Sequence, residues 1–248
     1  MANLRQWLEK GPYTLALSSG FFSFFAHVGV LLALEENRLV PSEVSGASAG
    51  ALAGGCWAAG CSAEYLRQVL FQLERQDFWD PSIGFGLLKG ERFRTFVDKV
   101  TPVSNIEECR VPLKISAFDL YTWSTHVLER GSLSEGIYAS CAVPLLFHPI
   151  TMNSGLYLDG SIKDRSGLSG IGDNTRVLYH HILSRQQAGS TKKVLRKTPR
   201  QNMMTLVVHR LQPVNPFRLE KGKRALLQAY YAMQNALEKP IDGWLIHV

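Results

Sequence analysis

Val44-Ser45-Gly46-Ala47-Ser48-Ala49-Gly50-Ala51 decides how this chain is read. An extended segment, Leu39 to Ser45, runs into a G-x-S-x-G turn, and a small-residue run from Ala51 to Ala59 reads as a helix behind it. A strand, a sharp turn at a serine and a helix are the setting of a nucleophile elbow. A serine at the tip of such a turn needs neighbours without side chains so that its Oγ stands clear, and Gly46 and Gly50 supply them. The helix aims its first N–H groups, that of Ala49 among them, at any oxyanion forming there. The same five residues also suit a helix entry that merely packs closely. The rest of the chain decides between the two.

Outward from this turn, strand and helix patterns alternate. Tyr13 to Leu17 reads as a first strand ending at Ser18-Ser19-Gly20. Phe24 to Glu36 reads as a helix, with Phe25, Val28, Leu31, Leu32 and Glu35 on one face. Ser62 caps a helix reaching about Gln76, Gly84 to Gly86 breaks the chain, and another helix follows Gly90. Pro112 to Leu120 is apolar enough for a central strand, with Ser124 to Glu129 its neighbour. Then come a helix from Ser132 to Cys141, a short strand from Leu156 into Asp159-Gly160, strands over Arg176 to Leu183 and Met203 to Leu211, and a long helix from Lys221 to Leu237. This order predicts an α/β fold of three layers, α/β/α, around a mainly parallel sheet. At 248 residues one domain is expected, with its core over about 13–240 and a basic surface insertion at 184–202.

Apolar residues make up 46% of the chain, enough for a substantial core, and charged residues only 19%. So low a charge content implies extensive burial or a surface that meets something apolar. The net charge is +6, and no acidic residue falls between Asp173 and Glu220, while basic residues recur from Arg176 to Arg218. Such a patch suits anionic lipid or nucleic acid, or is a solvated loop. Between Arg185 and Arg200 no aromatic residue interleaves with the charges, so nucleic acid is not expected. No apolar run reaches the length of about 18 residues that a spanning helix needs. The first residues do not read as a secretion signal. Cys56, Cys61, Cys109 and Cys141 lack zinc or redox spacing and read as reduced thiols. The expectation is a cytoplasmic protein with peripheral membrane contact through basic and apolar residues.

An activated serine needs a base. His27, His126, His148, His180, His181, His209 and His247 are the histidines; His209 falls inside a strand pattern and His247 is penultimate, so neither stands where a hydrolase triad wants one. Asp159, at a strand end before Gly160, is better placed to take the Ser48 proton if burial raises its basicity. An Asp-Gly pair is otherwise an ordinary turn.

Taken in order, these segments resemble the patatin-like phospholipases over almost the whole chain. Leu15-Ala16-Leu17, the following loop and Ala26-His27-Val28-Gly29-Val30-Leu31 resemble that family's first strand, glycine loop and first helix. Gly46 to Gly50 matches its nucleophile elbow, Gly86-Leu87-Leu88-Lys89-Gly90 a recurrent loop, and Ala117-Phe118-Asp119-Leu120 a central strand. Ala139 to Pro149 resembles the stretch before the aspartate, and Leu158-Asp159-Gly160 the aspartate motif itself.

The resemblance implies a patatin-like fold and a Ser48–Asp159 dyad. Ser48 would attack an ester carbonyl, Asp159 would take its proton, and water would release the acyl-enzyme, with no metal or cofactor. Backbone N–H groups of Gly20, Phe21 and Ala49 would hold the oxyanion, and His27 and Asp119 would be scaffold. The implied function is hydrolysis of fatty-acyl esters of phospholipids, lysophospholipids or acylglycerols. One departure is marked. Where the family has a G-G-G-x-R/K-G loop, this chain has Ser18-Ser19-Gly20-Phe21-Phe22-Ser23-Phe24, which loses glycines and the basic residue. The loop therefore leaves a rival reading open, a catalytically weakened domain that binds lipid or protein.

Overall fold

The computed structural model describes residues 2–153, 155–183 and 200–248. Most of the basic insertion, 184–199, lies outside them. The parallel part of the sheet is built from β1 (Thr14–Leu17), β2 (Glu43–Ala47), β4 (Leu113–Asp119), β9 (Val177–His181), β10 (Met203–Val207) and β11 (Leu245–His247). Antiparallel strands β5 (Ser124–Leu128), β7 (Ile150–Met152) and β8 (Gly155–Asp159) complete it. The order is β11-β10-β9-β1-β2-β4-β8-β7, with β5 also on β4. A separate two-stranded ribbon joins β3 (Gly86–Leu88) to β6 (Leu145–Phe147). The helices are α1 (Leu4–Glu9), α2 (Phe24–Glu36), α3 (Ala49–Ala58), α4 (Ala63–Gln72), α5 (Glu91–Val100), α6 (Leu133–Cys141) and α7 (Lys221–Glu238). The result is the expected α/β architecture, a mainly parallel central sheet flanked by helices.

Side chains alternate across the sheet, so two cores form. Leu15, Leu17 and Leu178 join the large core under the helices, while Ala16, Val177 and Tyr179 pack on the other face against Leu168, Ile171 and Met203. The single apolar face expected for α2 is corrected by the structure: every residue from Phe24 to Leu34 is buried. α7 covers the side that the pattern left to solvent. The two helices meet backbone to backbone at Gly29, where a Cβ would fall 2.2 Å from the Leu226 carbonyl oxygen. β2 starts at Glu43 rather than Leu39, because the Leu39 N–H still closes the α2 terminus on Leu34 O and Pro41 has no N–H to give. α4 ends at Gln72, short of Gln76, and a 3-10 turn at Arg75–Asp77 follows. Among the described residues no helix is long and apolar enough to cross a membrane.

Three histidines are buried around β9: His27 of α2 meets His180, and His181 lies on the opposite face of the strand beside Tyr179. His27 Nε2 lies 2.8 Å from Ser18 O, which can only accept, so Nε2 carries the proton; His27 Nδ1 then accepts from His180 Nδ1 at 2.9 Å. Burial pushes His27 and His181 down to about 4, against an ordinary 6.5, and pushes His180 well below 6.5. The unfolded chain therefore binds these protons first. Folding stability is complete above 6.5 and is lost as pH falls toward 4, at up to about 1.4 kcal/mol per pH unit for each histidine kept neutral. Urea midpoints measured across that window are expected to drop steeply, and His27→Gln is expected to flatten the slope.

Candidate active site

Ser48 stands at the C-terminal end of β2, and the ladder of β4 explains what it meets. β2 pairs with Leu113 to Ser116 of β4, β8 with Ala117 to Asp119, and β5 with Ile115 to Asp119. A strand has two edges. β5 takes one along its length, so β2 and β8 share the other, end to end. Ala47 is opposite Ser116 and Asp159 opposite Ala117, so the residue after Ala47 abuts Asp159. Ser48 Oγ donates to Asp159 Oδ2 at 2.7 Å.

The elbow is held from several sides. Ser48 has φ 53° and ψ −118°, a strained combination for a residue with a side chain. Its N–H donates to Ser140 Oγ at 2.8 Å, and its carbonyl accepts from Cys141 Sγ at 3.2 Å. Ser140 Oγ in turn donates to Ser116 O at 2.7 Å, and Ser116 Oγ to Asp164 Oδ2 at 2.7 Å. Asp164 also accepts from Ser166 Oγ and from the N–H groups of Gly167 and Ser169. Burial alone would raise its pKa, but these bonds outweigh burial and hold the carboxyl below its ordinary value. Gly46 and Gly50 lie in close backbone contact with their neighbours: a Cβ on Gly46 would meet Gly50 C at 2.5 Å, and one on Gly50 would meet Leu17 O at 2.1 Å. Gly160 is needed for the same reason, with Ser116 O 2.0 Å from its would-be Cβ.

Asp159 is 1% exposed. Its Oδ1 accepts from Ser161 N–H at 2.8 Å, which leaves Oδ2 facing the serine. Burial raises its pKa, opposed by the bonds from Ser161 and Ser48 and by Arg165. None of the histidines takes this place. His27 and His180 bond each other, His148 bonds Gly86 O, and His209 pairs with His247. Asp119 holds the β4–β5 turn through Tyr121 N–H and Thr122 Oγ1.

The loop after β1 is the unusual part. Ser19 N–H donates to Arg165 O and Ser23 N–H to Gly20 O, which closes a tight turn over Gly20 to Ser23. Phe22 carries its backbone strain, at φ 54°, at a cost of order 1–3 kcal/mol. Its ring offsets this by packing against Phe21, Phe24 and Phe78 at centroid distances of 4.9, 5.4 and 5.7 Å. Among the described residues no hydrogen bond occupies the N–H of Gly20, Phe21 or Ala49. These three residues and Ser48 line one apolar cavity of about 100 Å³, walled by Leu52, Leu66, Phe78, Phe93 and Leu146.

Ser116, Ser140 and Cys141 have no individual signal in the sequence. Small polar residues at a helix end or in a strand have no periodicity to betray a partner. Only Asp164, just before Ser166-Gly167, shows the turn chemistry that its carboxylate serves.

The family model of patatin-like phospholipase matches residues 15–169, from β1 through the loop held by Asp164. The chain is 34% identical over 183 residues to an uncharacterized NTE family protein of Mycobacterium bovis, a match covering 72% of this chain and 51% of that one. Lysophospholipase NTE1 of Meyerozyma guilliermondii is 26% identical over 175 residues, 67% of this chain and 12% of that protein. This chain thus spans about half the length, or less, of the curated relatives it matches. Its fold is similar to that of VipD from Legionella pneumophila, with a TM-score of 0.69 at 14% identity over 92% of this chain and 67% of that one. With the matched stretch carrying both the elbow of Ser48 and the Leu158-Asp159-Gly160 segment, the chain belongs to the patatin-like phospholipase family.

Proposed function

We propose that this chain is a serine acyl hydrolase of lipid esters, working through Ser48 and Asp159. The 2.7 Å bond from Ser48 Oγ to a buried carboxylate, beside an apolar cavity, carries the reading. The carboxylate takes the Oγ proton as Oγ attacks the acyl carbonyl. Burial, which raises Asp159's affinity for that proton, favours the transfer. The N–H groups of Gly20, Phe21 and Ala49, which no hydrogen bond among the described residues occupies, are the oxyanion donors in this scheme. The tetrahedral intermediate collapses to an acyl-Ser48 ester as the alcohol leaves with the proton from Asp159. A water activated by the same carboxylate then releases the fatty acid. Phospholipid, lysophospholipid and acylglycerol esters all fit this chemistry. The cavity of about 100 Å³ is smaller than the ~150 Å³ that holds a benzene ring. A short acyl chain therefore enters with least rearrangement, and a p-nitrophenyl butyrate assay is the suitable first measurement.

The test is labelling. A fluorophosphonate probe is expected to modify the protein at a single site, mapped to Ser48 by peptide mass spectrometry, with Ser48→Ala unlabelled. Absence of both label and ester turnover in the wild-type protein sinks the hydrolase reading. The left-handed Phe22 and the missing loop glycines support a second reading, a domain with weakened catalysis that chiefly binds lipid or protein. The double substitution Phe21→Gly with Ser23→Arg separates the two: a large rise in rate marks the native loop as the impediment.

A further inference from the structure

The β3–β6 ribbon exposes apolar side chains for which the interior has no use. Ile83 at the tip is fully exposed, Phe85 is 86% exposed and Leu145 is 85% exposed, and Leu87 also faces solvent. Deeper in the ribbon Leu88 and Phe147 are paired and buried. The tip is braced. Ser82 N–H donates to Leu87 O at 3.0 Å, and His148 Nε2 meets Gly86 O at 3.0 Å. Leu145 is held at φ 68° with its side chain in water, so it combines backbone strain with unburied apolar surface.

The ribbon adjoins the proposed active site. Leu146 and Phe147, the residues after Leu145, line the cavity that contains Ser48, and Phe21, 57% exposed, lines the same cavity. Exposed apolar groups thus continue from the ribbon into the cavity lining. From Pro81 to Gly90 and from Ala142 to Pro149 there is no acidic residue, and the one lysine, Lys89, is neutralised by Glu91 at 2.7 Å. The surface is uncharged, narrow and protruding. Four such side chains, only one of them aromatic and Leu87 half-buried, fall short of the ~800 Å² per partner of a specific protein complex. A protrusion also has no concavity to seat a peptide. A lipid layer needs neither a large area nor a complementary shape; it admits an apolar tip to the depth of its headgroups.

We infer that Ile83, Phe85, Leu87 and Leu145 form a docking surface for a lipid bilayer, and that the ribbon enters the headgroup layer so that the Ser48 cavity opens onto the acyl chains. The inference rests on the hydrolase reading for its purpose, not for its test. Neutral phosphatidylcholine vesicles are the probe, because apolar insertion needs no anionic lipid. The 248-residue chain is expected to co-sediment with them, with little change in about 1 M salt. The variant Ile83→Ser/Phe85→Ser is expected to lose about tenfold or more of that partition, and hydrolysis of vesicle lipid by the same factor. Its turnover of p-nitrophenyl butyrate in solution should stay at the wild-type rate. Both residues are exposed, so the fold is retained, which the melting temperature checks. Equal sedimentation of variant and wild type overturns the inference, as does loss of wild-type binding in salt or a wild-type protein that leaves neutral vesicles untouched. Failure of the hydrolase reading looks different. A protein that binds vesicles through Ile83 and Phe85 but turns over no ester keeps the docking surface and loses the enzyme.

Discussion

Asp159→Asn is expected to lower kcat/KM for p-nitrophenyl butyrate by about 10⁴-fold and, at neutral pH, to raise the melting temperature. The two effects have one cause. The wild-type carboxylate is buried, and burial raises its pKa over the ordinary 3.8. The folded protein therefore binds the Asp159 proton more tightly than the unfolded chain does. Above the ordinary value, each further rise in pH costs folding free energy until the raised value is passed, and the cost then persists at neutral pH. Asparagine keeps the shape, accepts from Ser161 N–H and carries no charge. In the proposed mechanism the same substitution leaves Ser48 Oγ without a base.

Ser48→Ala is expected to lose as much activity or more, and the double variant little beyond either single one, because the proposed nucleophile and base act in one step. In the wild type the acid limb of the kcat/KM profile is expected above the ordinary aspartate range, since only the ionised carboxyl is a base. Ester kinetics over a pH series, with thermal melts of the same samples, check all of this. A fully active Asp159→Asn protein leaves the dyad reading without support.

Gly50→Ala is the second large effect, and its sign runs against propensity. In an exposed helix the change stabilises by about 1 kcal/mol. Here the added Cβ meets Leu17 O at 2.1 Å and Leu17 C at 2.6 Å, both backbone atoms of a central strand that no rotamer moves. α3 must lift off β1, and it carries the elbow away from the loop after Leu17. A loss above about 4 kcal/mol is expected, seen as insoluble expression or a collapsed melting temperature. Gly172→Ala is the control: its Cβ would meet only Thr175 Oγ1, at 3.5 Å, and the variant is expected to melt with the wild type.

The expected elements recur in the structure where the signal was local. β1, α2, β4, α6, β9, β10 and α7 fall where apolar runs, caps and breakers put them, because a strand core or a helix stop is written in a few neighbouring residues. α1, β6, β7 and β11, all six residues or shorter, carry no such local signal. α1 is capped by Asn3 and Gln6 and held by Arg176, whose guanidinium stacks on Trp7 at 4.3 Å and bonds Gly11 O. β3 needs β6 as its partner, and Gly84 to Gly86 alone reads as a break. α2 shows no amphipathic face because, wedged between the sheet and α7, it has no solvent side from Phe24 to Leu34.

By itself the sequence determined an α/β chain with a glycine-flanked serine turn between strand and helix, and an aspartate at a later strand end. Those follow from sterics and periodicity within a few residues. Only the tertiary structure decided that Ser48 and Asp159, 111 residues apart, share a hydrogen bond. That depends on β2 and β8 dividing one edge of β4, and ladder register is a property of strands brought together. Likewise only packing buries Asp159 and ties Ser48 through Ser140 to Ser116 and Asp164. It also turns the phenylalanines after Gly20 to different ends, Phe25 into the core and Phe21 to the mouth of the cavity.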